Sequence, residues 1–357
     1  MGFKCGIVGL PNVGKSTLFN ALTSSKNAQA ANFPFCTIDP NIGIVDVPDD
    51  RLDKLFNLSS SKKKINANIT FVDIAGLVKG ASKGEGLGNK FLSHIREVDA
   101  IVHLVRCFDS ENIQHVNKKI DPINDLETIK TEILLADISQ IEKKLQKNLR
   151  KKISEKQIKL LNKVLEKLNK GEDVKEYNDI ESQKILKETG LMSVKPYIIV
   201  SNVDEKNVKS GNDYTKILRD RYPSEKHITI CADIEDQITD LKSEERSVYM
   251  QNIGLEKTGL NQLITNGYDL LDLCTFFTSG LKESRAWTIK KNTNAQMAAG
   301  VIHSDFQKKF IRAEAVSFKD FEKFGSAEKA KENGKLRVEG KDYVVKDGDV
   351  LFFRVNP

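Results

Sequence analysis

The sequence predicts a mostly parallel α/β sheet domain, with a helical hairpin inserted into it and a small C-terminal domain of mixed strands and helices. Three observations lead to this prediction. Apolar runs of strand length alternate with segments of helix length, two stretches near the middle carry apolar residues at helical spacing, and short β-like segments follow residue 273. At 357 residues the chain is long enough for two or three domains.

We expect three parts with defined boundaries. Residues 1–129 and 191–273 form the sheet domain, residues 130–190 form the inserted hairpin, and residues 274–357 form the C-terminal domain. Within the sheet domain, strands are predicted at 5–10, 69–72, 100–105, 196–201 and 228–231. Ligands of parallel α/β sheets bind beyond the carboxyl ends of the strands, so functional residues are expected there.

The composition is typical of a cytoplasmic protein. The five cysteines are scattered and form no C-x-x-C pair, which favours reduced, mostly buried thiols. The five histidines do not cluster, which disfavours a zinc site. No apolar run approaches the roughly 18 residues of a membrane span, and the N-terminus lacks the pattern of a signal peptide. We therefore expect cytoplasmic localisation and no membrane partner.

The inserted segment is predicted to form two amphipathic helices that pack as an antiparallel hairpin. Its apolar residues recur at helical spacing: Leu134, Ile138, Ile141, Leu145, Leu149, Ile158, Leu161, Leu165 and Leu168. Its outer faces are basic: Lys143, Lys144, Lys147, Arg150, Lys151, Lys152, Lys156, Lys159, Lys163, Lys167 and Lys170. Two interpretations remain open, a solvated lysine-rich surface and an electrostatic contact with RNA phosphates. No interleaved aromatic residues support stacking on single-stranded bases, and no sequence-specific DNA binding is expected.

The C-terminal domain is predicted to contain short β-like segments at 286–289, at 315–318 and on either side of a turn within 341–353. The Lys-Asp-Gly-Asp sequence at 346–349 is a strong turn signal because glycine accepts the left-handed conformation that tight hairpins need. We therefore expect a hairpin between the last two strands.

A phosphate-binding loop follows the first strand. Residues 9–16 match G-x-x-x-x-G-K-[ST], with a strand before the motif and a helix after it. The glycines allow backbone N–H groups to surround a phosphate, and the helix N-terminus adds positive potential. In this motif Lys15 reaches the β- and γ-phosphates and Ser16 is a ligand of Mg²⁺. The predicted nucleotide contacts of the loop are Asn12, Val13, Gly14, Lys15, Ser16 and Thr17.

The second strand ends in a D-x-x-G sequence that is typical of switch-type nucleotide hydrolases. Asp73 is predicted to hold Mg²⁺ through water, and the N–H of Gly76 to sense the γ-phosphate. Thr37 lies between the first helix and this strand, where a switch threonine would be the third predicted metal ligand after Ser16 and Asp73.

The segment after Gly76 predicts a mobile loop with an unusual catalytic feature. Five glycines lie between residues 76 and 88, and Leu77 occupies the position where related hydrolases carry a water-positioning glutamine. A leucine cannot orient water, so another group must do so or the intrinsic rate is low. His115 is a candidate for this role, and an ordinary surface histidine is the alternative.

The base-binding segment differs from the guanine-specific N-K-x-D sequence. Asn202 is kept, but Val203 replaces the lysine and Glu205 replaces the aspartate. A longer carboxylate cannot keep the same two hydrogen bonds, and each buried guanine donor left unpaired costs about 1–3 kcal/mol. Guanine is therefore not the predicted base, although relaxed specificity remains an alternative.

These segments together resemble the YchF family of Obg-like ATPases over essentially the whole chain. The resemblance is carried by residues 1–16, 32–37, 76–88 and 202–205, and by residues 285–357, which are similar to the family's ubiquitin-like TGS domain. It implies an ATPase within the GTPase superfamily, associated with ribosomes and acting in translation or stress regulation. It also implies that Val203 lies beside adenine, that Asn202 reads the adenine edge, and that Cys231 and Ala232 lie in the last base-contacting loop.

The predicted activity is ATP-dependent switching with slow intrinsic turnover. Lys15, Gly76 and, as a hypothesis, His115 are the predicted catalytic groups, with Mg²⁺ as cofactor. Asn12 suggests K⁺ as an additional cofactor, because related hydrolases use an asparagine at this position to help hold that ion. Two alternatives remain: a GTPase of relaxed specificity, and a nucleotide-gated binding protein with negligible turnover. A small-molecule kinase is disfavoured because the glycine-rich loop suits switching.

Overall fold

The computed structural model describes residues 2–24, 28–30, 41–75, 87–110, 119–146 and 153–356. Some predicted site residues therefore lie outside the described residues: Thr37, Gly76, Leu77 and His115. Contacts divide the chain into two compact units. Apart from the first two residues, unit 1 comprises Phe3–Ile44 and Thr70–Gln262, and unit 2 comprises Val45–Ile69 and Leu263–Pro357.

The strands and helices of the described residues are as follows. The strands are β1 (Lys4–Val8), β2 (Ala28–Ala30), β3 (Asn41–Asp46), β4 (Lys63–Ile65), β5 (Asn68–Asp73), β6 (Ala100–Arg106), β7 (Tyr197–Asn202), β8 (Lys226–Ile230), β9 (Leu273–Ser279), β10 (Glu283–Lys290), β11 (Phe310–Ser317), β12 (Arg337–Glu339) and β13 (Asp349–Val355). The helices are α1 (Lys15–Ser24), α2 (Asp50–Leu58), α3 (Leu87–Glu97), α4 (Pro122–Leu145), α5 (Glu155–Asn169), α6 (Ile180–Thr189), α7 (Asp213–Arg221), α8 (Ala232–Asp240), α9 (Ser243–Ile253), α10 (Gly259–Leu270), α11 (Ala295–Ile302), α12 (Ser304–Lys308), α13 (Phe318–Phe324) and α14 (Ala327–Glu332).

The first sheet confirms the predicted parallel α/β architecture. Its strand order is β2-β3-β5-β1-β6-β7-β8. Strand β1 runs parallel to β5 and β6, β6 runs parallel to β7, and β7 runs parallel to β8. Strands β6 and β7 are buried along their whole lengths, as expected for central strands of a parallel sheet covered on both faces. The carboxyl ends of β1, β5, β6 and β7 therefore meet at one edge.

The inserted segment contains one more helix than the sequence predicts. Helices α4 and α5 account for the two predicted stripes, and α6 contacts both of them. Their shared core is Ile141, Leu161, Val164, Leu168, Val174, Leu186 and Leu191. The buried apolar residues of α6 are Ile185 and Leu186, which are adjacent in the sequence. Two adjacent apolar residues form too short a pattern to predict a helix.

Capping residues define where these helices begin and end. Ser154 and Gln157 form a reciprocal capping box at the start of α5, which satisfies two backbone N–H groups. Helix α6 ends at Gly190, whose φ of 77° suits glycine. The buried Asp137 carboxylate on α4 accepts the N–H groups of Met192 and Ser193, the latter at 2.7 Å, and so connects the helices to the segment before β7.

Unit 2 is built on a second, mixed sheet with the order β12-β11-β13-β9-β10-β4. Strands β9 and β10 are antiparallel, β11 and β13 are antiparallel, and β13 runs parallel to β9. Helix α11 covers this sheet through Ala295 and Ala298, which pack with Phe276, Ile289 and Leu351. The predicted α+β character of the C-terminal part is confirmed.

The predicted hairpin at residues 346–349 is wrong. The turn exists, since the Asp349 N–H donates to Lys346 O over 3.1 Å and Gly348 has a φ of 86°. Strand β12, however, pairs with β11, and β13 lies between β11 and β9. The Asp347 carboxylate accepts the N–H of Thr275 on β9 at 2.9 Å, so this turn directs β13 into the sheet centre.

Residues 45–69 group with the C-terminal residues, whereas the sequence placed them in the sheet domain. Strand β4 pairs in parallel with β10, and the Ser61 hydroxyl lies 2.8 Å from that of Ser284. Arg51 on α2 donates to Asp347 over 2.6 Å. These pairings join segments more than 200 positions apart, so no local pattern could indicate them. Elsewhere the predicted three-part division remains a prediction.

Among the helices of the described residues, none combines the length and the apolar character that a membrane crossing requires.

Candidate nucleotide site

The phosphate-binding loop joins the end of β1 to the start of α1. Gly14 has a φ of 91°, and a Cβ atom at this position would overlap the side-chain amide of Asn202. Glycine is therefore required at position 14 for two reasons, the left-handed backbone conformation and the close approach of the Asn202 side chain. Asn12 also adopts a left-handed conformation, with a φ of 65°, which asparagine tolerates better than most residues. The Leu18 N–H donates to Gly14 O and begins the helical hydrogen bonding of α1.

A cleft of ≈ 850 Å³ opens above this loop, within unit 1. Many of the predicted nucleotide contacts line it: Asn12, Gly14, Lys15, Ser16, Thr17, Asn202, Val203 and Glu205. Two loops that are about 190 positions apart in the sequence thus form one site, because β1 and β7 end at the same edge of the sheet.

Lys15 and Asp73 form an ion pair at the base of this site. Lys15 Nζ donates to Asp73 Oδ1 over 2.7 Å, and the two side chains are only 13% and 10% exposed. Lys15 is the first residue of α1, and Asp73 is the last residue of β5. The structure therefore brings the predicted phosphate lysine and the predicted metal carboxylate together.

The side chain of Asn202 links the phosphate-binding loop to the first residue of α8 by hydrogen bonds. Its Nδ2 donates to Val13 O over 2.9 Å, and its Oδ1 accepts the Ala232 N–H over 3.0 Å. The side chain is buried, and these contacts use one of its two amide hydrogens. One hydrogen remains for a ligand, so the prediction that Asn202 reads a base edge is compatible with this geometry and stays a prediction.

Cys231 and Ala232, which the resemblance places in a base-contacting loop, connect β8 to α8. Ala232 begins α8 and contributes the N–H that Asn202 accepts. Cys231 is buried at the N-cap position, and burial raises the pKa of its thiol. Burial likewise raises the pKa of Cys107 to about 12, so neither thiol is a thiolate near neutral pH.

The base-binding segment combines a buried backbone with exposed carboxylates. Val203 is 2% exposed, and its N–H donates to Ile230 O. Asp204 caps a short 3₁₀ turn by accepting the Asn207 N–H over 3.1 Å. Glu205 begins that turn and is exposed on the cleft wall. The hydrogen bonds to Asp204 fall on Oδ1, and both Asp204 and Glu205 line the cleft, so each presents a carboxylate oxygen to it.

Other residues of the cleft were missed by sequence analysis: Phe108, Asp109, Ser110, Asp204 and Asp233. Three of them follow β6, where the Phe108 ring lies 4.6 Å from the guanidinium carbon of Arg106. The Asp109 carboxylate accepts the Tyr214 hydroxyl over 3.1 Å. Their position directly after a buried strand was an available signal, since ligands bind at strand carboxyl ends.

The donor groups of the site suit magnesium. The Ser16 hydroxyl lines the cleft, and the Asp73 carboxylate is adjacent to Lys15. Hydroxyl and carboxylate oxygens are hard ligands of the kind that Mg²⁺ prefers, and Mg²⁺ usually completes its shell with substrate phosphates and water. The third predicted ligand, Thr37, lies outside the described residues, as do Gly76 and His115.

Comparisons with known proteins identify the family. A sequence profile described as 50S ribosome-binding GTPase matches residues 4–163, and the YchF-GTPase_C profile, described as a protein of unknown function, matches residues 273–356. The Ribosome-binding ATPase YchF of Bacillus subtilis (strain 168) is 49% identical over 367 residues, with 100% of both chains covered. The chain belongs to the YchF family. The resemblance identified from the sequence is thereby confirmed.

Further relatives of this YchF-family chain agree with that assignment. The Ribosome-binding ATPase YchF of Escherichia coli O157:H7 is 48% identical over 364 residues, again with 100% of both chains covered. The solved structure of the Schizosaccharomyces pombe YchF GTPase matches with a TM-score of 0.88 and 36% identity, covering 99% of this chain and 98% of that one. The predicted fold class is therefore confirmed over nearly the whole length.

Proposed function

We propose that this chain binds ATP with Mg²⁺ in the cleft above residues 9–16 and hydrolyses it as a switch that controls ribosome binding. The observation that carries this proposal is the juxtaposition of Lys15 and Asp73 beneath a cleft lined by the phosphate-binding loop. The two curated relatives carry the words ribosome-binding and ATPase in their names. Because the chain covers their full length, the whole activity is proposed for it.

The names of the relatives differ in the nucleotide that they state. The Schizosaccharomyces pombe structure is titled a GTPase, whereas the bacterial relatives are named ATPases. We favour ATP because Val203 and Glu205 replace the lysine and aspartate that hold guanine. A GTPase of relaxed specificity is the alternative.

The residues of this chain would act by positioning the nucleotide and by placing positive charge near its phosphates. Lys15 would leave Asp73 and bind the β- and γ-phosphates, which frees Asp73 to accept a metal-bound water. Ser16, Asp73 and, outside the described residues, Thr37 would hold Mg²⁺, which supplies positive charge to the phosphate oxygens. Leu77 cannot orient water, so we propose His115 for that role, with the N–H of Gly76 near the γ-phosphate.

Calorimetry with ATP and GTP, each with Mg²⁺, tests the base assignment. We expect ATP to bind about tenfold or more tightly than GTP, a difference of about 1.4 kcal/mol. Glu205→Asp combined with Val203→Lys should shift the preference toward GTP, and Asp213→Asn on α7 is a matched acidic control outside the cleft. Tighter GTP binding by the unmodified chain would overturn the base assignment and leave the phosphate site intact.

A steady-state phosphate-release assay tests hydrolysis itself. We expect slow release from ATP with water as the acceptor, stopped by Lys15→Met and reduced by His115→Ala. A nucleotide-gated binding protein with negligible turnover is the second candidate, favoured by the leucine at position 77. Tight ATP binding with no phosphate release, alone or with ribosomes, would select it. Rates that are equal in K⁺ and Na⁺ would remove the proposed role of Asn12 in holding K⁺.

Ribosome association is proposed to involve the lysine-rich helices α4 and α5. Some lysines of this region already form ion pairs, such as Lys167 of α5 with Glu176, and Lys170, which follows α5, with Glu166. Others, such as Lys159 and Lys163, are exposed on α5. Because phosphate contacts are salt-dependent, co-sedimentation with ribosomes should weaken steeply with ionic strength. A partner of this kind also agrees with cytoplasmic localisation, which we propose here.

A further inference from the structure

A second cavity lies at the opposite end of β6 and β7 from the phosphate-binding loop. Its volume is ≈ 380 Å³, and its walls come from α4, the segment after α5, and the first residues of these strands. Tyr197 at the cavity and Asn202 at the nucleotide cleft are the first and last residues of β7, about 16 Å apart at ~3.3 Å per residue. The two sites are therefore separate, and the volume is within the range of small-ligand pockets.

Lys130, which forms no ion pair among the residues that the structure describes, indicates that a ligand of this cavity is negatively charged. Lys130 Nζ lies 5.5 Å from the ring centre of Tyr197 and 4.8 Å from that of Tyr222. Among the described residues its only polar side-chain contact is the Tyr197 hydroxyl, at 3.5 Å. Lys130 is half-buried on α4, and its ammonium group lies over two aromatic rings with no carboxylate within ion-pair distance in the described part of the chain.

The carboxylates that line the cavity, Glu127, Glu172 and Asp173, each have a hydrogen-bond or ion-pair partner other than Lys130. Glu127 accepts the Tyr222 hydroxyl, and Glu225 forms an ion pair with Lys175. Asp173 accepts the Lys175 N–H over 2.7 Å. Four cationic side chains line the cavity (Lys130, Lys175, Lys195 and Arg221) against three carboxylates (Glu127, Glu172 and Asp173), so this lining carries one net positive charge.

One wall of the cavity carries a buried imidazole with an unused nitrogen. His103 is 2% exposed, its ring meets Tyr197 edge-on at 5.2 Å, and its Nδ1 has no hydrogen-bond partner in the described part of the chain. Burial, followed by the charge of Lys130, lowers the pKa of His103 to about 3. The imidazole is neutral near pH 7, so it adds hydrogen-bonding capacity without adding charge. Leu134 and Leu168 supply an apolar wall.

We propose that this cavity binds a small planar anion, an aromatic carboxylate or aromatic phosphate ester, with its anionic group on Lys130 and its ring against Leu134, Leu168 and the tyrosines. The ammonium group supplies the charge, the apolar and aromatic walls suit a planar ring, and the volume limits the ligand to one or two fused rings. Carboxylate and phosphate share this chemistry, so both are tested.

The test is calorimetric titration of the full chain with 2-naphthoate and 2-naphthyl phosphate, with Mg·ADP saturating the nucleotide cleft. We expect saturable binding of at least one anion to one site per chain, with about tenfold weaker binding of the uncharged 2-naphthylmethanol. Lys130→Met should weaken the anion about tenfold, whereas Lys184→Met, on the exposed face of α6, should not. No saturable binding of either anion, or an unchanged affinity in Lys130→Met, would overturn the proposal.

A second variant tests whether lost binding in Lys130→Met could result from misfolding of the protein. Thr131 is an exposed residue at the rim of the cavity, so Thr131→Trp should close it without disturbing the core. We expect Thr131→Trp to abolish anion binding while its thermal unfolding midpoint and its Mg·ADP affinity remain those of the unmodified chain. Full anion affinity in this variant, or competition between the anion and Mg·ADP, would place the binding elsewhere and refute the assignment.

Discussion

Lys15 and Asp73 hold each other across 2.7 Å at the base of the nucleotide cleft, with both side chains largely shielded from solvent. The lysine that should bind phosphate is thus paired with the carboxylate that should serve the metal. If Lys15 binds phosphate and Asp73 serves the metal as proposed, nucleotide binding breaks this pair, and each residue competes with the other's ligand. We therefore expect substitutions of Lys15 and of Asp73 to have different effects on nucleotide binding and hydrolysis.

Asp73→Asn should separate nucleotide binding from hydrolysis. Without the carboxylate, Lys15 is free for phosphate, so ATP affinity measured without Mg²⁺ should stay the same or tighten. Mg²⁺-dependent turnover should fall about 100-fold or more because the metal loses its acidic ligand. Lys15→Met should instead weaken ATP binding with and without Mg²⁺. Calorimetry and phosphate release measure both quantities, and Lys216→Met on the exposed face of α7 is the control. Equal losses in both assays for Asp73→Asn would contradict this competition.

Gly14→Ala should destabilise unit 1 more than the same change at another left-handed glycine. At Gly14 the added methyl group overlaps the Asn202 amide, and the backbone has a φ of 91°. We expect a loss of about 2–3 kcal/mol, the sum of the left-handed strain and a disturbed buried hydrogen bond.

Gly171→Ala is the matched control for Gly14→Ala. Gly171 has a φ of 72°, and nothing lies within 4 Å of its added Cβ position. Only the conformational strain remains there, about 1 kcal/mol. Urea unfolding of both variants measures the difference, and equal losses would show that the contact with Asn202 is unimportant.

Asn202→Asp keeps the size of the side chain and removes its donor. The Val13 carbonyl would then face a carboxylate oxygen in place of Nδ2, while the Ala232 N–H would keep its acceptor. We expect a loss of about 1–3 kcal/mol in the free energy of unfolding, together with weaker nucleotide binding because the loop is no longer fastened. Asn169→Asp at the exposed end of α5 should change stability by less than about 0.5 kcal/mol. Similar losses in the two variants would argue against a stabilising role for the hydrogen bonds of Asn202 with Val13 and Ala232.

His103 should make the protein less stable in mild acid. Its pKa is lowered from 6.5 to about 3 by burial and by Lys130, so the folded state resists a proton that the unfolded state accepts. The stabilising contribution is complete above the unfolded pKa of 6.5 and is lost as the pH falls toward 3. Between about pH 6.5 and 5 we expect a loss of about 2 kcal/mol, at 1.36 kcal/mol per unit.

His103→Gln isolates this contribution, because glutamine is similar in size and does not titrate in this range. The free energy of unfolding, measured with urea at a series of pH values, should decline more steeply for the unmodified chain than for the variant. Other titrating groups are common to both proteins and cancel in the difference. Parallel pH profiles would show that the pKa of His103 is the same in the folded and unfolded states.

Local sequence patterns predicted the phosphate site more completely than they predicted its surroundings. Residues 9–17 and Asp73 carry motifs whose spacing reflects one loop or one strand end, so their roles are readable within a few positions. Phe108, Asp109 and Asp233 carry no such pattern, since they join the cleft only because β6 lies beside β1 and because α8, which follows β8, packs against α1. The assignment of Glu205 depended on comparison with a known motif.

The sequence by itself determined the parallel sheet, the phosphate-binding loop and the two longer helices of the insertion, because apolar periodicity, glycine positions and caps act over a few residues. Tertiary structure alone decided that residues 45–69 join the second sheet, that β13 lies between β11 and β9, and that Lys130 lies over the rings of two tyrosines. Those outcomes depend on pairing between segments far apart in the chain. Their free energy comes from burial and hydrogen bonds that exist only after folding, so no local pattern encodes them.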